Sequence, residues 1–259
     1  MRIVVCIKQV PEETIVDKQR GILRREGIRG VINPCDKNAL ELALSLKEKH
    51  GGTILLLTMG PPQAESSLIE GLAMGADSAI LLSNRAFAGA DTLATSFVLA
   101  TAIRRRGDFD LILCGKETSD SGTGSVGPQL AEYLGIPQIT SVAALELIED
   151  KIRARRLMGD EWEVVEVIPP VLSTVMKGIN APRSPTYGDV IAAANKEILR
   201  WKASDLEIPE ESIGLRGSPT KIVEVFPPQA RRQCQMLRGK AGEVAQQMVT
   251  LLRDKGVIG

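Results

Sequence analysis

Short apolar runs alternate with longer helix-like segments through the first half of this chain. Runs rich in Val, Ile and Leu are typical of strands buried on both faces of a sheet, and they occur at residues 3–7, 53–58, 78–82 and 109–113. Segments with apolar residues at helical spacing follow them: residues 36–48 with Asp36 as the predicted N-cap, 64–74, 91–104 capped by Asp91 or the residue before it, and 129–134.

This alternation predicts successive right-handed βαβ units. The expected fold class is α/β, with an open, mostly parallel, doubly wound (Rossmann-like) sheet. Ligands of such sheets bind at the carboxyl ends of the strands, so that edge is where a site is expected.

The pattern changes after about residue 141. Short strands are predicted at residues 144–147, 151–157, 162–167 and 171–174, as a β-rich addition to the same domain. Beyond Trp201 the chain is irregular and ends in an amphipathic helix at about residues 241–255. We therefore expect an α/β domain of residues 1–200 and an extended C-terminal arm of residues 201–259.

The most informative motif is the segment 114–129, between a predicted strand and a predicted helix. It contains Gly122-x-Gly124-x-x-Gly127, formally a dinucleotide-binding pattern. Glycines let backbone amides approach phosphate oxygens, and a helix N-terminus adds partial positive charge. Because seven residues separate Cys114 from Gly122, the spacing is loose, and a flexible connection is the alternative to a phosphate site.

Other predicted strand ends converge on the same edge of the sheet. Residues 6–8, 33–36 and 58–61 would lie beside residues 115–127. Each segment alone is explained by an ordinary turn. Together they outline a cleft of the size of a mononucleotide.

Composition excludes several classes of function. The 32 basic and 32 acidic residues cancel, which argues against a nucleic-acid binder that relies on bulk charge. Aromatic residues make up only 3%, so a flat ligand is expected to be held by backbone and small side chains. Neither a run of eighteen apolar residues nor a signal peptide is found. We therefore expect no membrane insertion and a cytoplasmic location, or the inside of an organelle after processing.

Residues for catalysis are missing from the sequence. Cys6, Cys35, Cys114 and Cys234 lie far apart and are interpreted as reduced structural thiols. His50 has the surroundings of a helix C-terminus. Because there is also no nucleophile elbow and no Walker A lysine, the chain is expected to bind a nucleotide rather than to perform acid–base or nucleophilic chemistry.

Several motifs together carry a resemblance to a known family. They are CIKQVP at residues 6–11, NPCDKNALELA at 33–43, AMGAD at 73–77, DLILCGK at 110–116, DSGTGSVG at 120–127 and NAPR at 180–183. In this order, and over essentially the whole chain, they resemble the beta subunit of electron transfer flavoproteins.

The resemblance implies a heterodimer with a larger alpha subunit that carries most of the redox FAD. The beta subunit would hold a nucleotide in residues 1–200, either AMP or, in electron-bifurcating members, a second FAD. The positions that match the family's nucleotide contacts are Cys6, Asn33, Pro34, Cys35, Asp36, Met59, Asp120, Thr123, Gly124, Ser125, Val126 and Gly127.

The implied function is electron transport between dehydrogenases, such as acyl-CoA dehydrogenase, and downstream acceptors. Residues 89–95 and 214–221 look like the anaerobic, bifurcating or nitrogen-fixation-associated branch, whose bifurcating members accept electrons from NADH. Asp91, Thr92 and Thr95 would then receive the phosphates of the second flavin, and a plain helix N-cap is the alternative.

Segment 180–187 matches the family's partner-recognition loop. Pro182, Arg183 and Tyr187 are the predicted partner-binding residues, with Tyr187 as an exposed anchor for the dehydrogenase. Local packing of Tyr187 is the alternative. The arm is expected to lie along the alpha subunit through an acidic and then a basic patch, Asp205, Glu207, Glu210 and Glu211, then Arg216, Lys221, Arg231, Arg232, Arg238 and Lys240.

Two other functions share parts of this pattern. A stand-alone adenine-nucleotide sensor has a similar sheet and cleft, but it does not explain the tail after Trp201 or segment 180–187. A nicotinamide dehydrogenase is weakened by the loose glycine spacing and by the lack of a general acid.

Overall fold

One large β-sheet with helices on both faces organises the chain. The computed structural model describes residues 1–13, 15–17, 22–24, 28–221, 223 and 235–258. The strands are β1 (Arg2–Cys6), β2 (Gln9–Pro11), β3 (Ile15–Asp17), β4 (Ile22–Arg24), β5 (Gly30–Ile32), β6 (Thr53–Met59), β7 (Ser78–Leu82), β8 (Leu111–Gly115), β9 (Gln138–Ile148), β10 (Lys151–Met158), β11 (Glu161–Val167), β12 (Val171–Val175) and β13 (Ile198–Trp201). The α-helices are α1 (Pro34–His50), α2 (Glu65–Met74), α3 (Thr92–Arg106), α4 (Val126–Leu134), α5 (Tyr187–Ala194), α6 (Ala203–Leu206) and α7 (Ala241–Asp254).

The main sheet is open and mostly parallel, as the sequence predicts. Within the described ranges its order is β11-β10-β9-β12-β8-β1-β6-β7-β13. The strands from β9 to β13 in that order are parallel to their neighbours, and β10 and β11 continue one edge in antiparallel pairing. The segment between β1 and α1 forms two small antiparallel pairs, β2 with β5 and β3 with β4.

Alternation of apolar side chains along each central strand builds two cores. In β1, Ile3 and Val5 lie in the core that α1 and α2 cover. Val4 and Cys6 lie in the opposite core, which α3 covers. Because both faces are buried, the central strands read as continuous apolar runs.

The path of the chain leaves a crevice between β1 and β8. From β1 the chain passes through α1 to β6 and through α2 to β7. Helix α3 then returns across the opposite face to β8, on the other side of β1. The connections after β1 and β8 thus leave on opposite faces, which makes their carboxyl ends a topological switch point, where ligands of such sheets bind.

The prediction that all four short strands after residue 141 form an addition is wrong for β12. This strand lies inside the sheet, between β9 and β8, with Val171, Leu172 and Val175 completely buried. All five residues of β12 are buried, as in an interior parallel strand, whereas β10 and β11 alternate with charged residues and extend the edge.

Other bounds differ from prediction by a few residues. Strand β8 begins at Leu111, and the Asp110 carboxylate just before it accepts a hydrogen bond from the Arg2 amide at 2.6 Å. Helix α4 begins at Val126 rather than at residue 129, so it takes in Pro128, which is tolerated in a first turn. Strand β13 was not predicted, because its four residues combine Ile198 with exposed Leu199 and Arg200.

The chain after β13 begins by folding back onto the α3 face. Ala203, Leu206 and Ile213 are buried in that core. Helix α7, in contrast, buries none of its residues within the described ranges. None of the described helices combines the length and the apolar character that crossing a membrane requires.

Candidate functional site

A buried carboxylate joins the carboxyl ends of β1 and β8. Asp36 is 4% exposed, and its Oδ2 accepts a hydrogen bond from the Lys8 amide at 2.7 Å. Its Oδ1 accepts a second one from the Gly115 amide at 3.0 Å. Burial raises the pKa of Asp36 to about 7, although the hydrogen bonds that it receives oppose this shift.

The prediction that Asp36 caps α1 is wrong. The N-cap is Asn33, and Pro34 occupies the first helical position, where the absence of an N–H is harmless. Asp36 lies in the first turn and turns its carboxylate toward the strand ends instead. Gly115 has room for this contact because it lacks a Cβ, which would lie 2.3 Å from Asp36 Oδ1.

Asn33 ties the start of α1 to the loop that follows β8. Its side chain is 1% exposed. Asn33 Nδ2 donates to the Glu117 carbonyl at 2.9 Å, and Asn33 Oδ1 accepts from the Ser119 amide at 3.1 Å. Pro34 is exposed beside it, and Cys35 is buried.

A salt bridge draws the same loop over the end of β1. Lys8 Nζ lies 2.7 Å and 2.9 Å from the two carboxylate oxygens of Asp120, whose side chain is 1% exposed. Lys8 was expected near this edge from the sequence, but no role was predicted for it. Its partner could not be found from the sequence, because the pair spans more than a hundred residues.

The glycine-rich segment forms a turn that leads into α4. Gly122 and Gly124 have φ values of +63° and +64°, which L residues with a side chain rarely adopt. The amides of Ser121 and Gly122 both donate to the Thr118 carbonyl. Gly127 lies against β12, where a Cβ would come within 2.4 Å of Thr174 Cγ2.

The amides of residues 123–127 are the unused donors of this edge. Within the described part of the chain, none of them donates a hydrogen bond. They surround the N-terminus of α4, where the helix dipole adds partial positive charge. Such a row of amides is suited to the oxygens of an anion such as phosphate.

Two further predicted contacts, Cys6 and Met59, lie at neighbouring strand ends. Cys6 pairs in register with Cys114 of β8, and both are buried. A hydrogen bond that the Cys114 thiol donates to Cys6, together with burial and the nearby Asp36, raises the pKa of Cys114, so this thiol stays protonated. Cys6, Cys35 and Cys114 are free thiols, as predicted, and Cys234 lies outside the described residues.

The start of α3 lies beside the start of α4. Ser96 Oγ lies 2.7 Å from the Thr92 carbonyl oxygen and 3.1 Å from the Val126 carbonyl oxygen, so its single hydroxyl proton is shared between them. The structure therefore brings Asp91, Thr92 and Thr95 to the same edge as the glycine-rich segment.

Asp91 forms the N-cap of α3. Its Oδ1 accepts from the amides of Leu93 and Ala94, both at 3.0 Å, and its Oδ2 accepts from the Thr220 amide at 3.0 Å. Burial alone would raise the pKa of Asp91, but these amide hydrogen bonds together lower it. Any ligand role at this helix start thus falls to Thr92 and the Thr95 hydroxyl, since both Asp91 oxygens and the amides of residues 93–95 are occupied.

The predicted partner loop presents Tyr187 to solvent. Its side chain is 83% exposed, so the alternative of local packing is wrong. Pro182 is half-buried, and Arg183 is bound by acidic residues of α1.

Of the charged arm residues, Arg216 pairs with Glu210 at 3.2 Å on the surface, and Arg231 and Arg232 lie outside the described residues.

The chain is similar to known proteins over most or all of its length. A family model described as "Electron transfer flavoprotein domain" matches residues 20–206. The chain is 43% identical to the electron transfer flavoprotein subunit beta of Clostridium acetobutylicum and 42% identical to subunit CarD of the caffeyl-CoA reductase-Etf complex of Acetobacterium woodii, each over the full length of both chains. It is 44% identical to protein FixA of Sinorhizobium fredii, over 90% of this chain and 85% of that protein.

The raised pKa of Asp36 predicts a distinct pH dependence of stability. An unfolded Asp has a pKa of about 3.9, so between about pH 4 and pH 7 the folded chain holds a proton that the unfolded chain has lost. Stability therefore falls as the pH rises through this window. Asp36→Asn removes this contribution, and urea unfolding between pH 5 and pH 8 should show a flatter pH profile than that of the wild type.

The same variant should also be less stable at pH 5, by about 1–3 kcal/mol, since the amide nitrogen opposes one of the two backbone N–H groups. Asp189→Asn is the control of opposite sign. Hydrogen bonds from Thr186 lower the pKa of Asp189, so its contribution is present at neutral pH and is lost only on acidification. Identical pH profiles for wild type and Asp36→Asn would contradict the account.

Proposed function

This chain belongs to the electron transfer flavoprotein family as a beta-type subunit, and we propose that it holds an adenine nucleotide at the switch point while it carries electrons in an FAD-containing heterodimer with an alpha subunit. The observation that carries the proposal is the row of unused amides at residues 123–127. It would face a cleft framed by Asn33, Asp36 and the Lys8–Asp120 pair.

The residues of the cleft fit a nucleotide phosphate. Gly124 adopts a left-handed φ of +64°, and the amides of Thr123, Gly124, Ser125, Val126 and Gly127 would hold the phosphate oxygens. The side chains of Asn33 and Asp36 form their hydrogen bonds with backbone groups of the chain, so they would shape the cleft. Cys6, Pro34, Cys35 and Met59 would line its base, and Asp120 with Lys8 would close its rim.

The ligand class is an adenosine phosphate, either AMP or the AMP half of FAD. The second occupant is favoured by the neighbouring start of α3, which places Thr92 and Thr95 next to the start of α4. A longer diphosphate could span both helix starts. When bound, FAD would supply the transfer of electrons, and the residues of this chain would bind and orient it.

Relatives named as parts of reductase complexes support an acyl-CoA-linked role. Besides the caffeyl-CoA reductase-Etf subunit, they include the acryloyl-CoA reductase electron transfer subunit gamma of Anaerotignum propionicum, 39% identical over the full length of both chains. We extend this to a proposal that the chain exchanges electrons with an acyl-CoA dehydrogenase or a similar flavin dehydrogenase. If the cleft holds FAD, the proposal includes electron bifurcation from NADH.

The alpha subunit is proposed to cover the exposed apolar side of β11 and helix α7. On β11, Trp162 and Val164 are 54% and 67% exposed, and Ile168 follows at 61%. The guanidinium of Arg155 lies 4.8 Å from the Trp162 ring centroid and stiffens this surface. Strand β11 is an edge strand of the sheet, and such edges are normally covered or paired.

The stand-alone nucleotide sensor accounts for the cleft alone. It gives no reason for an apolar edge strand, for an exposed α7 or for the projecting Tyr187. Co-expression with an alpha subunit separates the two functions. A carrier subunit purifies as a yellow heterodimer, and a sensor remains a colourless monomer.

Gly124→Ala should weaken AMP binding to the heterodimer by about tenfold or more. An alanine at a left-handed φ costs about 1–2 kcal/mol, and its Cβ would lie 3.3 Å from the Lys116 carbonyl oxygen, so the amides of the turn shift. Calorimetric titration with AMP after removal of bound nucleotide measures the loss. Gly135→Ala is the matched control, because Gly135 has φ +70° at the far end of α4 with open space around it. Equal affinities of the two variants would contradict the phosphate site.

Tyr187→Ala should slow electron transfer with the acyl-CoA dehydrogenase by about tenfold and leave the flavin content unchanged. An exposed aromatic anchor of this kind is typical of interface hot spots. Stopped-flow reduction at varied dehydrogenase concentration gives the change in KM. Leu199→Ala, which truncates a 40% exposed side chain on β13, serves as the control. Unchanged kinetics of the Tyr187 variant would remove the docking role.

A further inference from the structure

Helix α1 holds the segment that leads to Tyr187 at two points. The first is a pair of amides. Asn38 Nδ2 donates to the Asn180 carbonyl at 2.9 Å and to Asn180 Oδ1 at 2.8 Å, and Asn180 Nδ2 donates back to the Asn38 carbonyl at 3.0 Å. Asn38 is 4% exposed, so this contact is shielded from water.

The second point is a carboxylate clamp on Arg183. Glu41, whose side chain is 10% exposed, accepts from the Arg183 amide at 3.0 Å, from Nε at 2.9 Å and from Nη2 at 2.8 Å. Glu48 accepts from Nη1 of the same guanidinium at 2.5 Å. The two carboxylates raise the pKa of Arg183, which stays charged throughout. Because one carboxylate binds both the backbone and the side chain of Arg183, the clamp fixes the direction of the chain as well as its position.

The helix that carries Tyr187 is fixed at its other end by packing. Helix α5 rests on α2, and Ala193 is buried there. Thr186 and Asp189 form a reciprocal capping box at its start, with the Thr186 amide 2.9 Å from Asp189 Oδ2. Only three residues, 184–186, connect the clamped Arg183 to Tyr187.

We propose that Glu41, assisted by Asn38, is a positioning residue for partner recognition, which holds the loop so that Tyr187 points outward in one orientation. The inference rests on the proposed docking role of Tyr187. Preorganisation of a loop lowers the entropy cost of binding, so loss of the clamp should weaken docking and leave the electron-transfer step itself intact. The same helix carries Asn33 and Asp36, so the loop is positioned relative to the nucleotide cleft.

Glu41→Gln in the assembled heterodimer tests the proposal. Glutamine keeps the size and one acceptor but removes the charge. We expect the KM for the acyl-CoA dehydrogenase to rise by about threefold to tenfold, with kcat and flavin content close to those of the wild type. Amide hydrogen exchange of residues 176–186 should quicken at the same time. Glu65→Gln, which breaks the Glu65–Arg200 pair away from this loop, is the matched control and should change neither reading.

A double-mutant cycle with Tyr187→Ala then shows whether Glu41 acts through that side chain. If it does, the double variant docks no more weakly than Tyr187→Ala alone. Additive losses, or a Glu41→Gln variant with unchanged KM or unchanged exchange, would overturn the positioning role. If Tyr187→Ala itself has no effect, the proposed docking function fails instead, and the inference falls with it. Asn38→Ala provides a second test should Glu41→Gln not assemble.

Discussion

The buried carboxylate of Asp36 is the contact on which the site depends. It accepts hydrogen bonds from the amides of Lys8, two residues past the end of β1, and of Gly115, the last residue of β8. These two strands are neighbours in the sheet although more than a hundred residues separate them in sequence. A charge in this position is costly unless it is hydrogen-bonded, and the raised pKa of Asp36 reflects that cost. The carboxylate thereby fixes the switch point, and the glycine-rich turn is built on a fixed strand end.

Helix α1 connects the strand ends held by Asp36 to the segment that precedes Tyr187. Its first turn holds the strand ends and the loop after β8 through Asp36 and Asn33. Its middle holds the segment before Tyr187 through Asn38 and Glu41. The proposed nucleotide cleft and the proposed docking loop are thus both attached to α1. In an electron carrier this arrangement has a direct use, since the distance between donor and acceptor is set by how the partner docks.

Patterns of neighbouring residues predicted much of this molecule. The buried runs gave β1, β6 and β7 nearly to the residue, and the family motifs led to the segments that the structure gathers at the switch point. The position of β12 and the N-cap role of Asp36 were predicted wrongly, and the salt bridge of Lys8 was not predicted. All three depend on strand order, which pairs residues far apart in sequence and leaves no periodic signal. The clamp on Arg183 was not predicted for the same reason, since in the sequence Glu41 looks like an ordinary solvated residue of an amphipathic helix.

The most direct test of the central claim is the nucleotide content of the purified heterodimer. Heat-released ligands can be separated and counted as FAD and AMP for each pair of subunits. The account predicts a second adenine nucleotide besides one FAD in every heterodimer. One AMP with one FAD supports simple relay, and two FAD that are bleached by NADH under anaerobic conditions support bifurcation. A heterodimer with a single FAD and no other adenine nucleotide would contradict the assignment of the cleft.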